Sequence, residues 1–159
     1  MEQAAQVDRI ERFLQEVVMA ELGKLQGIGL SYMHFVLMGQ AVEVLGGFLD
    51  QKPLKARDQS SARFSLSVNK LFGGRYRLLN EKNDLYNKLR NQMTHTFIPG
   101  GELILRNREE NREGYRHLQQ EGERLVLIAE DFYEDICRAA ERLLQALREG
   151  RLKAKTIAY

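Results

Sequence analysis

The chain has 159 residues and a formal net charge of +2, with 43% hydrophobic and 29% charged residues. This length suits one domain with a single core, and the composition is typical of an ordinary soluble globular protein. One cysteine excludes an internal disulfide and fits a reducing compartment. The polar, acidic N-terminal segment does not resemble a signal peptide, and no uninterrupted apolar run reaches the ~20 residues that span a bilayer. The sequence therefore predicts a cytoplasmic protein that does not enter a membrane.

Two helices are predicted in the first third of the chain. In residues 3–25, apolar positions recur at steps of three and four, and charged side chains cover the opposite side. Residues 32–49 are apolar nearly all round, so this second helix is expected to lie between neighbours. Its glycines (Gly39, Gly46 and Gly47) allow another backbone to approach closely, although Gly46-Gly47 could instead fray the helix end.

The middle of the chain contains a shorter helix and a third long one. A polar connection at residues 50–58 precedes a short predicted helix at 60–72, which Gly73-Gly74 interrupts. The apolar residues between Leu78 and Met93 predict a long helix over about 76–95. Pro99-Gly100-Gly101 then ends it.

The last third is predicted to contain a small excursion and a final helix. Residues 102–106 have a strand-like composition and could pair with residues 115–118, and the competing interpretation is an irregular segment with one helical turn. The most regular apolar stripe predicts a final helix from Leu125 to Leu147. Residues 151–159 are expected to form a frayed, basic tail. The predicted fold is therefore all-α: one up-down bundle of four long helices over residues 1–150, with a short helical insertion and a hairpin-like excursion near 102–118.

Chemically capable side chains gather at the end of the third long helix. Asn91 and His95 are four residues apart and can share a helical face. Arg90 and His95 are five apart, which leaves them well separated around a regular helix. They converge on one ligand only if the helix distorts near Thr94, or if a second copy of the chain supplies one of them.

The run from Arg90 to His95 resembles the signature of the HEPN superfamily, in which an arginine and an adjacent polar residue are followed by a histidine after four to six intervening residues. The resemblance covers roughly residues 5–148 as architecture, but only Arg90, Asn91 and His95 by residue. It implies a metal-independent endoribonuclease without a cofactor, whose active site forms across a homodimer. It also implies a role in defence or stress, with a protein antitoxin or regulator as partner. In one subgroup the modified tyrosine follows the histidine by two residues. Phe97 occupies that position here, so control by nucleotide transfer is not expected.

The proposed chemistry requires few groups. A histidine can remove the proton of a 2′-hydroxyl or protonate the leaving 5′-oxygen near neutral pH, and a planar guanidinium can bind two phosphate oxygens. His95 and Arg90 are the candidate catalytic residues, with Asn91 in support. The candidate RNA-binding residues are Lys88, Arg77 and Arg75 for the backbone and Tyr86 for base stacking. Each residue also has a purely structural interpretation, as an exposed helix side chain, a solvated basic face or a boundary tyrosine.

Two classes of function remain open. The first is a HEPN-type endoribonuclease, and the second is a non-catalytic helical module that binds RNA or a protein. Both predict a dimer, but only the enzyme requires His95. His34 and His117 have no partners at metal-ligand spacing, no Glu-x-x-His pair indicates a di-iron site, and no glycine loop has the Walker pattern.

Overall fold

The structure, a computed structural model, describes the backbone of residues 1–159 and every side chain except that of Ser31. The protein is mostly helical, with 61% helix and 7% strand. Helix α1 comprises Glu2–Phe13, a π-helical part at Leu14–Glu21 and a last turn at Leu22–Lys24. Helix α2 is Ser31–Leu49, and α3 joins Ser60–Ser67 to a π-helical turn at Val68–Phe72. Helix α4 is Gly74–Leu79, and α5 covers residues 84–96 with a π-helical turn at Tyr86–Asn91. Strands β1 (Leu103–Arg106), β2 (Gln120–Glu121) and β3 (Arg124–Ile128) precede α6, which is Ala129–Arg148.

The π-helical parts of α1 and α5 have a visible cause in the sequence. Both helices place apolar residues at strict steps of four: Ile10, Leu14, Val18 and Leu22 in α1, and Leu85, Leu89 and Met93 in α5. In a regular α-helix such a stripe would turn away by about 40° at each step. The wider turn of a π-helix, with bonds from residue i to i+5, keeps the stripe on one side. All seven side chains are 7% exposed or less.

The predicted helices at 3–25, 32–49 and 60–72 are confirmed, with ends within one residue. The close approach expected at α2 is also confirmed, because a Cβ atom on Gly46 would lie 1.8 Å from the carbonyl oxygen of Arg63 in α3. The core forms where α6 packs against α1, α2 and the π-helical turn of α3. There the rings of Phe35 and Phe132 stack with centroids 6.4 Å apart.

The prediction of one long helix over 76–95 is wrong, and four long helices are not confirmed. The chain breaks between α4 and α5, where Lys82 and Asn83 have left-handed φ angles of 54° and 61°. The cause is Asn80, which is only 7% exposed. Its amide donates to Ser65 Oγ at 3.0 Å and accepts from the Tyr86 backbone N–H at 2.9 Å, so a side chain replaces the helical hydrogen bond.

The strand predicted at residues 102–106 is confirmed as β1, but its predicted pairing with residues 115–118 in a hairpin is wrong. Strand β1 instead pairs in parallel with β3, with Leu103 opposite Leu125 and Arg106 opposite Ile128, and β2 pairs antiparallel on the other side of β3. Residues 115–118 form no strand, and Leu118 has a left-handed φ of 62°. The last helix was predicted to begin at Leu125, because the apolar residues of β3 continue its apolar stripe. In the structure, α6 begins at Ala129.

Residues 151–159 lie against the body of the protein, where the sequence had predicted a frayed tail. Ala154 and Ile157 are 8% and 9% exposed. Lys155 Nζ contacts Asp50 Oδ1 and the carbonyl oxygen of Gly47, both at 2.5 Å. Tyr159 packs edge-on against Phe13 with ring centroids 5.5 Å apart.

One helical segment, Tyr32–Leu49, has the length and mean hydropathy (1.2) of a membrane-spanning helix. The sequence analysis did not identify it as an apolar run of that length. However, 56% of this window is buried inside the fold, as is usual for the core helix of a soluble protein. The segment is therefore compatible with a soluble protein.

Candidate active site

Arg90 lies where α5 crosses α2. A Cβ atom on Gly39 would be 3.5 Å from the Cα of Arg90, so the two helices pack in close contact at this position. The Nε of Arg90 lies 2.7 Å from Oε2 of Glu43, one turn further along α2. The two side chains are only 13% and 19% exposed. This ion pair therefore holds Arg90 in a largely desolvated position.

Thr94 fixes the other end of the guanidinium. Arg90 Nη1 donates to Thr94 Oγ1 at 2.5 Å, and the threonine hydroxyl donates to the carbonyl oxygen of Arg90 at 2.6 Å. Among the described residues, Nη2 makes no hydrogen bond, so it remains available to a ligand. The arginine is thus oriented by two neighbours and still retains donors.

His95 lies in the last turn of α5 and is exposed. The helix ends directly afterwards, because Phe97 adopts a left-handed φ of 57°. Phe97 and Ile98 are 58% and 63% exposed, so two large apolar side chains follow the exposed imidazole along the chain. Among the residues that the structure describes, no hydrogen bond occupies the ring of His95.

The structure does not bring Arg90, Asn91 and His95 together by direct bonds. In the described part of the chain, no hydrogen bond joins the Asn91 amide to His95, and no ion pair or hydrogen bond joins Arg90 to His95. The helix is distorted before Thr94, over Tyr86–Asn91, where the π-helical turn includes Arg90. The supporting role predicted for Asn91 therefore has no hydrogen bond to His95 behind it.

Two of the predicted RNA-binding residues have internal partners. Lys88 Nζ bonds to Asp84 Oδ2 at 2.6 Å and forms an ion pair with Glu102. Burial lowers the pKa of Lys88, but the bonds to the two carboxylates outweigh burial and raise that pKa above its ordinary value. Tyr86 is half-buried and packs edge-on against Phe64, with centroids 5.5 Å apart. Neither side chain is free to contact RNA without giving up these contacts.

The other two predicted RNA-binding residues, Arg75 and Arg77, lie on α4, on the far side of the break at Asn80. Arg75 donates to the carbonyl oxygen of Leu118 and so holds the segment between β1 and β3. Arg77 is exposed, and no hydrogen bond or ion pair engages it among the described side chains. Arg77 is therefore the predicted phosphate contact that fits the structure best.

A polar cluster that sequence analysis missed connects α4, α6 and the segment before β2. His117 Nε2 lies 2.8 Å from the hydroxyl of Tyr76 and 3.3 Å from Oδ2 of Asp135. The Tyr76 hydroxyl donates to the same carboxylate at 2.5 Å, and His117 Nδ1 accepts the backbone N–H of Ile128 at 3.0 Å. The residues are too far apart in the chain for a motif to reveal them.

The electrostatics of this cluster favour an ionised aspartate. Burial alone would raise the pKa of Asp135, but hydrogen bonds from His117, Tyr76 and Arg138 lower that pKa below its usual value. Burial and the neighbouring Asp135 raise the pKa of Tyr76. Tyr76 is 4% exposed and His117 has 11% of its side chain exposed, so the cluster fastens the fold rather than presenting reactive groups.

Protein-family models, curated proteins and solved structures contain no match to this chain. Among the described residues, no group of three or more His, Cys, Asp or Glu side chains is arranged to hold a metal ion. Near the motif, one helix end carries an oriented guanidinium and an exposed imidazole.

Proposed function

We propose that this protein is a metal-independent, HEPN-type endoribonuclease that acts as a homodimer in the cytoplasm. The observation that carries the proposal is the combination on α5 of an oriented arginine and an exposed histidine. Arg90 is held by Glu43 and Thr94, whereas His95 is open to solvent five residues later. The proposed cleavage of RNA by its own 2′-hydroxyl uses these two kinds of group, an imidazole for proton transfer and a guanidinium for the charge on the phosphate.

In this mechanism a histidine removes the proton from the 2′-hydroxyl, which then attacks the adjacent phosphorus. A second histidine protonates the 5′-oxygen as its bond to phosphorus breaks, so the products are a 2′,3′-cyclic phosphate and a 5′-hydroxyl. Arg90 stabilises the negative charge that develops on the phosphate oxygens. One chain supplies one His95, and a twofold dimer supplies both.

The first half of α2 supports a dimer because it is apolar and uncovered. Tyr32, Met33 and Leu37 are 50%, 37% and 42% exposed. The same helix carries Gly39 and Glu43, which contact Arg90. A second copy that covered this apolar face would lie next to the motif helix.

Alanine substitutions test the catalytic roles. His95→Ala and Arg90→Ala should each reduce cleavage of single-stranded RNA by roughly 10²–10⁴-fold while the helical circular dichroism is retained. The matched control is Arg106→Ala, because Arg106 also pairs with a glutamate, Glu113, but lies in β1. If the His95→Ala protein cleaves RNA at the wild-type rate, the proposed nuclease function is wrong.

The reaction itself provides further tests. A chelator should not change the rate, the 3′ product should carry a cyclic phosphate, and DNA should resist because it lacks the 2′-hydroxyl. Mixing the inactive Arg90→Ala and His95→Ala proteins gives heterodimers with one intact Arg90 and one intact His95 on different chains. Partial recovery of cleavage after verified subunit exchange would show that the site spans two chains.

Light scattering tests the assembly. The mass should be near twice 18.4 kDa, and Leu37→Glu should reduce it to that of one chain. The control is Leu78→Glu, which changes an even more exposed leucine (67%) on α4. A monomeric wild-type protein at micromolar concentration would refute the dimer.

The second candidate is a non-catalytic module that binds a protein or RNA. It is favoured by the internal ion pairs of Lys88, which leave fewer basic groups for a nucleic acid, and by the uncovered apolar face of α2. Such a module would keep its binding when His95 is replaced by alanine and would show no turnover.

A further inference from the structure

Glu43 is the only described acidic side chain that forms an ion pair with Arg90. Sequence analysis did not select it, because it lies 47 residues earlier on a different helix. Its Oε1 accepts a hydrogen bond from the hydroxyl of Ser60 at 2.9 Å, and its Oε2 lies 2.7 Å from Arg90 Nε. The N-terminus of α3 thus holds a carboxylate on α2, which in turn faces the arginine on α5.

The contact between Glu43 and Arg90 is an ion pair without a well-aligned hydrogen bond. Arg90 Nε and Glu43 Oε2 are both buried, and neither has a hydrogen-bond partner among the described residues. Buried polar atoms normally find such partners, because leaving them unsatisfied is costly. The carboxylate itself is held by Ser60, so its charge has a fixed position beside the guanidinium.

We propose that Glu43 is a positioning residue, which orients the guanidinium of Arg90 so that Nη2 faces the scissile phosphate. This inference rests on the proposed nuclease function. Glu43 limits rotation of the guanidinium from the Nε side, Thr94 limits it from the Nη1 side, and Nη2 remains for the ligand. The carboxylate of Glu43 also competes with a phosphate for the positive charge of Arg90, so this residue affects both orientation and affinity.

Two substitutions of Glu43 separate its effect on the orientation of Arg90 from its effect on affinity for RNA. Glu43→Gln keeps an oxygen acceptor at the same place and removes the charge, so kcat should stay within about threefold of wild type while KM for RNA falls. Glu43→Ala removes both the acceptor and the charge, so kcat should fall by roughly 10-fold to 100-fold, as expected when a catalytic group loses its orientation. Ser60→Ala should lower kcat by a smaller factor, because Glu43 loses its support.

The experiment measures kcat and KM of the full-length protein with a fluorescent 20-nucleotide single-stranded RNA. Glu11→Ala is the matched control, because Glu11 forms an ion pair between helices with Arg148, away from the motif. Circular dichroism identifies any variant that does not fold. If Glu43→Ala is unstable, Glu43→Gln and Ser60→Ala still decide the question.

A binding measurement separates failure of this inference from failure of the proposed function. Fluorescence anisotropy with a 2′-deoxy version of the oligonucleotide should show about twofold to tenfold tighter binding to Glu43→Gln, and no such gain in the Arg90→Ala background.

If Arg90→Ala abolishes cleavage but Glu43→Ala cleaves at the wild-type rate, the positioning role is wrong and the proposed nuclease function stands. If wild type does not cleave RNA, the nuclease is wrong. In that case an Arg90-dependent gain in binding still supports Glu43 acting through Arg90, and unchanged affinity overturns it.

Discussion

Replacing Gly46 with alanine tests the packing of α2 against α3. The added Cβ atom would lie 1.8 Å from the Arg63 carbonyl oxygen and 2.5 Å from its carbon. Real Cβ atoms essentially never come within 3.0 Å of such atoms, so the two backbones must separate by at least 1.2 Å, the difference between 3.0 and 1.8 Å. Overpacking of this kind typically costs about 1–3 kcal/mol, and a backbone obstacle belongs at the upper end.

The same substitution at Gly39, seven residues earlier on α2, should have the opposite effect. Its Cβ atom would meet Arg90 Cα at 3.5 Å, which is ordinary van der Waals contact. Alanine is better than glycine in a helix by about 0.5–1 kcal/mol, and at Gly39 little opposes this gain. At Gly46 the gain is smaller than the clash, which leaves a net loss of roughly 2 kcal/mol.

Thermal unfolding monitored by circular dichroism measures both effects. For a domain of this size, about 1 kcal/mol corresponds to about 2–4 °C. The Gly46→Ala protein should therefore melt about 4–8 °C below wild type, and the Gly39→Ala protein about 1–4 °C above it. A Gly46→Ala protein as stable as wild type would show that α2 and α3 do not approach as described.

The remaining predictions concern stability at three other places. Asp135→Asn should destabilise the protein by roughly 1–3 kcal/mol at pH 7, because the ionised carboxylate accepts three side-chain hydrogen bonds in the folded state. Because the pKa of Asp135 is lowered in the folded protein, its stabilising contribution is present above the ordinary aspartate pKa and is lost as the pH falls through the folded-state pKa. Urea unfolding should therefore show a smaller stability difference between wild type and Asp135→Asn below about pH 4. Lys155→Met should release residues 151–159, so these amides should exchange hydrogen faster, whereas unchanged exchange would mean that Lys155 does not hold them. Phe97→Gly should raise the melting temperature slightly, since glycine relieves about 1 kcal/mol of left-handed strain at an exposed position, and a decrease would show that the Phe97 ring makes a stabilising contact.

Sequence periodicity predicted the helices whose apolar stripes are long, because burial of one face determines them locally. It missed the break at Asn80, which depends on a bond to Ser65, a residue on another helix. It also assigned Leu125 to the last helix, since a short apolar run is compatible with a strand or a helix until its partner is known. That partner, β1, lies more than 20 residues earlier.

The candidate site was predictable only in part. Arg90 and His95 are close in the chain, so a motif can contain both. Glu43 reaches Arg90, and Ser60 reaches Glu43, only through the packing of α2 against α5 and α3, and a single sequence carries no sign of these contacts. The strict four-residue spacing of Leu85, Leu89 and Met93 is the one sign of the π-helical turn that the sequence carries.

The contact between the two ends of the chain has a consequence for the order of folding. The Ile157 backbone N–H donates to Gln6 Oε1, a pair separated by 151 residues, and Tyr159 reaches Glu16. Contacts that close such long loops form slowly, because most of the loop entropy must be lost before they contribute. The side of Phe13 that faces Tyr159 therefore stays open during folding until residues 151–159 pack against α1, which makes this packing a late step.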